Sequence, residues 1–485
     1  MNHLLAVLRN RVAPHPIRLQ AARTLDDILL IVPRNIGTSE ERKKSVQRLM
    51  LEVLAEQVSP DPITGNNTTV VEIRKMGLET LHQILQFAGH TLLVGWEIIF
   101  EMLGSACEPT PISTLPSIPE SIATSPTASP QPSKPPPLNY SAVPDRGSAV
   151  LVRIAFQSLT LVCDSLSSLS PEHLRLCIGT IGRFGRQADT NISLTAAGSL
   201  LWGVSDTIQT RRKSSEHEEE YNELWMLLLL EMLGLCTDPR SEVRVGAIQT
   251  LFRTLQLYGA SLSSEIWDEI IWKVMFPLLE SLSETMKQIG TPILPSSGSG
   301  PTPNLDSIKA WDESKTLALQ SLGSIFNDFL VIKFIHLDSF DRVWDTFVMH
   351  IQTSFMFDSA ASCTSSLRCL EKAIKAAIPS PPEAVERVKA AWHRVWTACD
   401  DMGQLVLRRT RPPQNATSAS PPPFHQDSLL ALVDVIKATR ALSREKEGHE
   451  WEIDQLTRLM SILKGKFDAN ETISLARCLW FVQES

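Results

Sequence analysis

One pattern recurs along this chain and narrows its possible folds more than any other feature. An apolar residue is followed four positions later by Ala, Gly or Cys, and eight positions later by Leu. The clearest copy is Val243…Ala247…Leu251, and others are Ile17…Ala21…Leu25, Ile73…Gly77…Leu81, Leu151…Ala155…Leu159 and Ile192…Ala196…Leu200. Ser314…Ala318…Leu322 and Ser359…Cys363…Leu367 are weaker copies. Residues at i, i+4 and i+8 share one face of a helix, and a small central residue lets a neighbouring helix approach closely. The copies begin 41 to 78 residues apart, and the shorter intervals match the roughly 40–47 residues of HEAT or armadillo repeats. An arginine follows the first residue of three copies, at Arg18, Arg74 and Arg244. Its head is expected to stay in solvent or to reach an acidic neighbour.

Strand signals are scarce, while helix-start chemistry recurs. Thr38-Ser39-Glu40-Glu41 reads as a capping box, and Ser170-Pro171-Glu172 and Asp238-Pro239 read as an N-cap followed by a proline at the first helical position. The expected fold is all-α, an armadillo/HEAT-like α-solenoid with disordered Pro/Ser-rich inserts. Residues 1–106 read as N-terminal helical repeats, 148–287 as central repeats, 306–407 as C-terminal repeats and 427–485 as terminal helices. Between them, 107–147 reads as a disordered linker carrying 11 of the 31 prolines, 288–305 as a flexible loop and 408–426 as a Pro-rich linker. The polar run Arg211–Glu220 reads as a connection between helices.

Charge and cysteine usage bound the function. With 46 basic and 54 acidic residues the net charge is −8, so a chain-wide footprint for nucleic acid is absent. The eight cysteines form no C-x-x-C pair, and most sit in apolar helical runs as small core residues. The N-terminus does not read as a secretory signal. Thr80–Trp96 contains His82, Gln83, Gln86, Gly89 and His90, which suits a buried helical hairpin better than a membrane span. The chain is therefore expected to be cytoplasmic.

Phosphate-loop, zincin, EF-hand and nucleophile-elbow motifs are missing, and the histidines have no metal-ligand spacing with the cysteines. No catalytic residue, cofactor or metal is expected. Gly179-Thr180-Ile181-Gly182-Arg183-Phe184-Gly185 falls within a helical period and reads as close helix packing rather than a phosphate loop. Trp267, Trp272, Trp344, Trp392 and Trp396 read mainly as anchors between repeat layers, with an aromatic partner groove as the minor reading. If the Trp272 ring is fully buried, Trp272→Ala should cost roughly 3–5 kcal/mol. Arg211-Arg212-Lys213 and Arg408-Arg409-Arg411 are mostly solvated charges that leave room for anionic headgroups.

Four segments carry a family resemblance. Leu85–Trp96 resembles the "LQ…G..L..GW" segment found downstream of the catalytic module in large Arf guanine-nucleotide exchange factors. Asn191–Trp202, Asp238–Arg244 and Ile271–Phe276 are similar to segments of their non-catalytic relatives, the monensin-sensitivity protein two family, and all four occur in the family's order. The resemblance singles out Gly95, Trp96, Asn191, Trp202 and Arg244, joined by Trp267 and Trp272, as structural or partner-contact candidates. It implies a large armadillo-like scaffold, peripheral on Golgi and endosome membranes, working in endosome-to-Golgi traffic and vacuolar protein sorting. Implied partners are a Dopey-like protein, a phospholipid flippase and an Arf-like GTPase. Family members are far longer, so this chain is expected to be the C-terminal part of a longer protein, or a split or truncated gene product, with any homo-oligomerisation housed in regions missing here. The Sec-seven catalytic module with its glutamate finger is not recognisable, so exchange activity is not expected. Two other readings stay open: the C-terminal regulatory region of an Arf exchange factor, and a generic HEAT-repeat transport adaptor.

Overall fold

The computed structural model describes residues 1–10, 12–32, 39–60, 68–107, 146–212, 218–290, 305–377, 385–410 and 425–447. Most of the expected inserts, much of the terminal 427–485 segment and Cys478 lie outside the described residues. Among those described there are helices and no strands. The chain divides into two compact units, Met1–Glu231 and Met232–Ser485.

The first unit contains α1 (Asn2–Arg9), α2 (His15–Ile31), α3 (Glu40–Val58), α4 (Thr68–Ala88), α5 (Trp96–Ser105), α6 (Arg146–Cys163), α7 (Pro171–Gly185), α8 (Thr190–Thr195) and α9 (Leu201–Arg212). The division falls inside α10 (Glu218–Leu235). The second unit continues with α11 (Ser241–Tyr258), α12 (Ser264–Ile270), α13 (Phe276–Gly290), α14 (Leu305–Phe329), α15 (Phe340–Phe357), α16 (Ala360–Ala377), α17 (Val385–Thr410) and α18 (Gln426–Glu447).

Each unit is built in two layers of the armadillo/HEAT type. In the first, α2 packs on α4 and α4 on α6, while α3 packs on α5 and α5 on α7. In the second, α11, α14, α16 and α18 pack successively in one layer and α15 packs on α17 in the other. The recurring pattern marks mainly one layer of each unit: six of its seven copies fall at α2, α4 and α6 and at α11, α14 and α16, while Ile192…Ala196…Leu200 spans α8 and the turn that follows it. Its central small residue is buried in every copy, including Ala155, Ala196, Ala247 and Ala318. The Leu at i+8 is likewise buried throughout, from Leu25 to Leu367. Only the first position drifts outward, with Ile17 and Ser359 exposed.

The arginines of the pattern do something other than expected. Arg18 Nε donates to Leu8 O at 2.9 Å, and Arg74 Nε to Val58 O at 2.7 Å and Nη2 to Ser105 O at 3.1 Å. Arg74 and Arg244 are buried rather than solvated. The last carbonyls of a helix have no partner within it, and a cation there also meets the negative end of the helix dipole. A buried guanidinium from the next helix satisfies both needs. Two less buried cations also donate to carbonyls of turns, Lys333 to Leu262 O at 2.7 Å and Arg387 to Ile335 O at 2.7 Å.

The helix starts follow expectation in part. Ser170 caps α7, its Oγ accepting from His173 N at 3.3 Å, with Pro171 at the first helical position. Ser39 occupies the N-cap of α3 but makes no side-chain cap bond, and Thr38 lies outside the described residues. Asp238-Pro239 is not a cap: α11 begins later, at Ser241, and the Asp238 carboxylate instead accepts from Arg240 N at 2.8 Å.

Two helices contain a five-residue π-turn, Ala196–Leu200 between α8 and α9 and Ile271–Met275 between α12 and α13. The second immediately precedes Pro277, which has no N–H for Lys273 O and whose ring would crowd that carbonyl in a regular helix. Widening the turn relieves the conflict.

Candidate partner-binding surfaces

In the first unit, α3, α5 and α7 enclose an open groove of about 920 Å³. One wall carries Glu52 and Glu56 of α3 beside Glu97 and Glu101 of α5. Both pairs are spaced i, i+4, which places like charges on one helix face and is unfavourable for the isolated helices. Arg48 offsets part of this, reaching Glu52 at 3.1 Å and Glu97 at 3.8 Å, and Arg9 pairs with Glu56. Among the described residues no ion pair holds Glu101. The opposite wall, α7, carries Arg175, Leu176, Gly179, Thr180 and Arg183. Arg175 is held by Glu223 at 2.6 Å, and Arg183 lies across Gly104 of α5.

The glycines of α7 have two different roles. Gly182 is buried where a side chain would collide with Glu231, as close packing requires. Gly179 faces open space, with no atom within 4 Å of the place a Cβ would take. It leaves a bay in the groove wall.

Two of the candidates, Gly95 and Trp96, lie beside this groove. Gly95 ends the α4–α5 turn with φ +92°, a conformation that favours glycine, and Leu51 occupies the room a Cβ would need. Gln47 holds the same turn, donating to Thr91 O at 2.9 Å and accepting from Leu93 N at 3.0 Å. Trp96 is buried against Phe100 at the start of α5. Asn191 is exposed in the first turn of α8, its N–H donating to the capping Asp189 at 3.0 Å. Trp202 is half-buried just past the π-turn.

In the second unit, Arg244 is fully buried. It donates to Ser314 Oγ at 2.8 Å, Asp238 O at 2.7 Å, Pro239 O at 3.2 Å and Ala310 O at 3.1 Å. Its guanidinium stacks over Trp311 with 3.8 Å to the ring centre. Burial pulls its pKa down to about 10, against the raising effect of Asp238 and Glu242, so it remains charged at neutral pH. It fastens the turn before α11 onto α14.

Trp267 is a buried anchor, packed on Phe329 at 4.9 Å and Phe334 at 5.1 Å with Nε1 donating to Gly259 O at 2.9 Å. Trp344 anchors α15 on α17 through Ala391 O at 3.0 Å. Trp272 departs from the buried reading, because its ring is half-exposed, beside Phe276 and under Arg342. Trp396 is also half-exposed.

Two buried ionisable groups were not legible as such in the sequence. Asp26 receives Gln57 Nε2 at 3.1 Å, yet burial pushes its carboxyl up to about 6, against hydrogen bonds from Thr80 and Gln57. His350, against Phe276 at 5.3 Å, is lowered to about 4 by burial and by Lys315, which is itself buried and paired with Asp358. Burial also raises the thiols of Cys236, Cys369 and Cys399, the last to about 12, which suits core residues rather than nucleophiles. Among the described residues no cluster of His, Cys, Asp and Glu could hold a metal ion, and no helix is long and apolar enough to cross a membrane.

These features define a helical-repeat protein whose distinctive surfaces are grooves and half-buried aromatic rings. Residues 214–389 match the family model described as the C-terminal region of Mon2 protein. It is 26% identical to the Protein MON2 homolog of Drosophila melanogaster over 365 residues, covering 69% of this chain and 19% of that protein. The Schizosaccharomyces pombe homolog is 30% identical over 295 residues, 56% of this chain and 16% of that protein. The chain thus spans about a fifth of the length of the curated relatives it matches. A shorter stretch of 107 residues is 32% identical to Brefeldin A-inhibited guanine nucleotide-exchange protein 2 of Arabidopsis thaliana, covering 22% of this chain and 6% of that protein. Among solved structures, a circular tandem repeat protein aligns with a TM-score of 0.32 and 12% identity, covering 98% of this chain and 96% of that one. An importin beta structure aligns with a TM-score of 0.22 and 10% identity, covering 97% and 66%.

Sequence reasoning missed the groove. Its signals were the i, i+4 glutamate pairs of α3 and α5 and a glycine in mid-helix, but nothing local shows that these three helices share a face.

Proposed function

We propose that this chain is a non-enzymatic helical-repeat scaffold of endosome-to-Golgi vesicle traffic and vacuolar protein sorting, held on the cytoplasmic face of Golgi and endosome membranes. The observation that carries the reading is the Mon2 C-terminal match over 214–389, set within similarity to MON2 homologues over some two thirds of the chain. Helical repeats suit the task, since each packs mainly on its neighbours and leaves long faces for partners. The partners are a Dopey-like protein, a phospholipid flippase and an Arf-like GTPase. Expression of the tagged chain in cells, followed by imaging against late Golgi and endosome markers and immunoblotting of captured proteins, tests this. Co-localisation and recovery of the Dopey-like protein are expected. A diffuse distribution, or recovery of Ran without a Dopey-like protein, would overturn it in favour of a generic transport adaptor.

A second reading, the regulatory region of an Arf exchange factor, is favoured by the similarity to the Arabidopsis exchange protein. Addition of the chain to an Arf exchange assay containing a separate catalytic module separates the two. An altered exchange rate would support the regulatory reading.

A further inference from the structure

We infer that the α3–α5–α7 groove is a docking site for an amphipathic protein segment that presents basic side chains one helical turn apart beside an apolar residue. The inference rests on the scaffold reading and supplies the chemistry of one partner.

The charge of the groove fixes the sign of its occupant. Four carboxylates line it against two guanidiniums, and both guanidiniums lie along α7. The glutamates are arranged as two i, i+4 pairs on adjacent helices, so they face an occupant as a patch with one-turn spacing. In the free protein they repel one another. Arg48 and Arg9 neutralise only part of the patch, and among the described residues no ion pair holds Glu101. A pair of lysines or arginines on the occupant would complete the neutralisation, and two such residues at i, i+4 on a helix have the matching rise.

The other half of the complementarity is apolar. Leu176 is 41% exposed on the wall carried by α7. Half-buried Ile98 lines the groove as well. The bay at Gly179 adds depth, since a side chain there would project into open space rather than into the protein. An apolar residue of the occupant fits against Leu176 and into this bay, while its basic neighbours face α3 and α5. Such a division, an apolar anchor ringed by charge, gives both affinity and orientation.

Gly179 also supplies the test, because the groove can be filled without disturbing the core. The whole chain is used to select binders from a displayed library of random 16-residue peptides, and selected peptides are measured by fluorescence anisotropy. Peptides with Lys or Arg at i, i+4 and an adjacent Leu, Ile or Phe are expected, with affinity falling as salt is raised. Gly179→Trp should weaken them at least tenfold with unchanged melting, Gly179→Ala should bind like the parent, and Glu97→Lys/Glu101→Lys should weaken them at least tenfold. Enrichment of acidic or uncharged peptides, equal binding to the Gly179→Trp chain, or recovery of no binder overturns the inference. So does groove-dependent binding of anionic vesicles or self-association abolished by Gly179→Trp, since either gives the groove a different occupant. Those results are independent of localisation and partner capture in cells, so the groove can fail while the scaffold reading stands.

Discussion

Asp26 and Asp27 are neighbours in the sequence, yet one turns into the core and the other into water. Asp26 keeps its proton to about pH 6, whereas an unfolded aspartate loses it near 3.9. Between those values the folded unit binds a proton that the unfolded chain has released. Unfolding free energy therefore falls as pH rises through the window, by about 3 kcal/mol in total. Asp26→Asn should raise the melting temperature at pH 7 and change it little at pH 4. His350 acts with the opposite sign in the other unit. Its pKa is about 4 when folded and near 6.5 when unfolded, so its stabilising contribution is present above pH 6.5 and is lost as pH falls through 4. His350→Phe should reduce acid sensitivity in that range, measured by urea unfolding at successive pH values. Two tryptophans form another contrast. Trp267→Ala should cost about 3–5 kcal/mol, as expected for a ring with no exposed surface. Trp272→Ala, which removes a half-exposed ring, should cost less than about 2 kcal/mol. Equal losses would count against the assignment of these environments. Residue types alone could not separate either pair, because a rotation of about 100° per residue decides which side chain faces inward.

At the scale of elements, the recurring i, i+4, i+8 pattern was legible because helical period and small-residue contact are both local properties. It marked mainly the helices of one layer in each unit. The partner of the arginine beside it was not legible, since a carbonyl at a helix end leaves no trace in residue identity. Arg244→Met should therefore be far costlier than a surface arginine change, at about 3 kcal/mol or more, because it removes four hydrogen bonds at a fully buried site and leaves the Asp238 carbonyl without its guanidinium donor. Arg244→Lys should recover only part of that loss, having one nitrogen to place where Arg places three. Chemical denaturation of the two variants measures the difference. The Asp238-Pro239 start misled for a related reason: the aspartate is committed to Arg240, so the helix begins beyond it.

For the whole molecule, the all-α repeat architecture of the described residues was legible, whereas the groove was not, because α3, α5 and α7 are separated by up to 131 positions of sequence between Glu52 and Arg183. Its composition is visible only once the layers are stacked. The boundary between the two compact units falls inside α10. A fragment beginning at Met232 severs that helix, while one beginning at Glu218 keeps all 18 residues of it. The longer fragment should show greater mean helical ellipticity per residue and a sharper thermal transition, and circular dichroism decides between the two.

A π-turn contains one more residue than the α-turn it replaces. Loss of a single residue from Ala196–Leu200 would let the segment rewind as ordinary helix while returning the stretch from Leu201 onward to its register with α8. Such a turn is thus a place where a gene can gain or lose one codon without breaking the surrounding helix. Single-codon length differences among chains of this kind are expected to collect at these two turns, where a helix has room to absorb them.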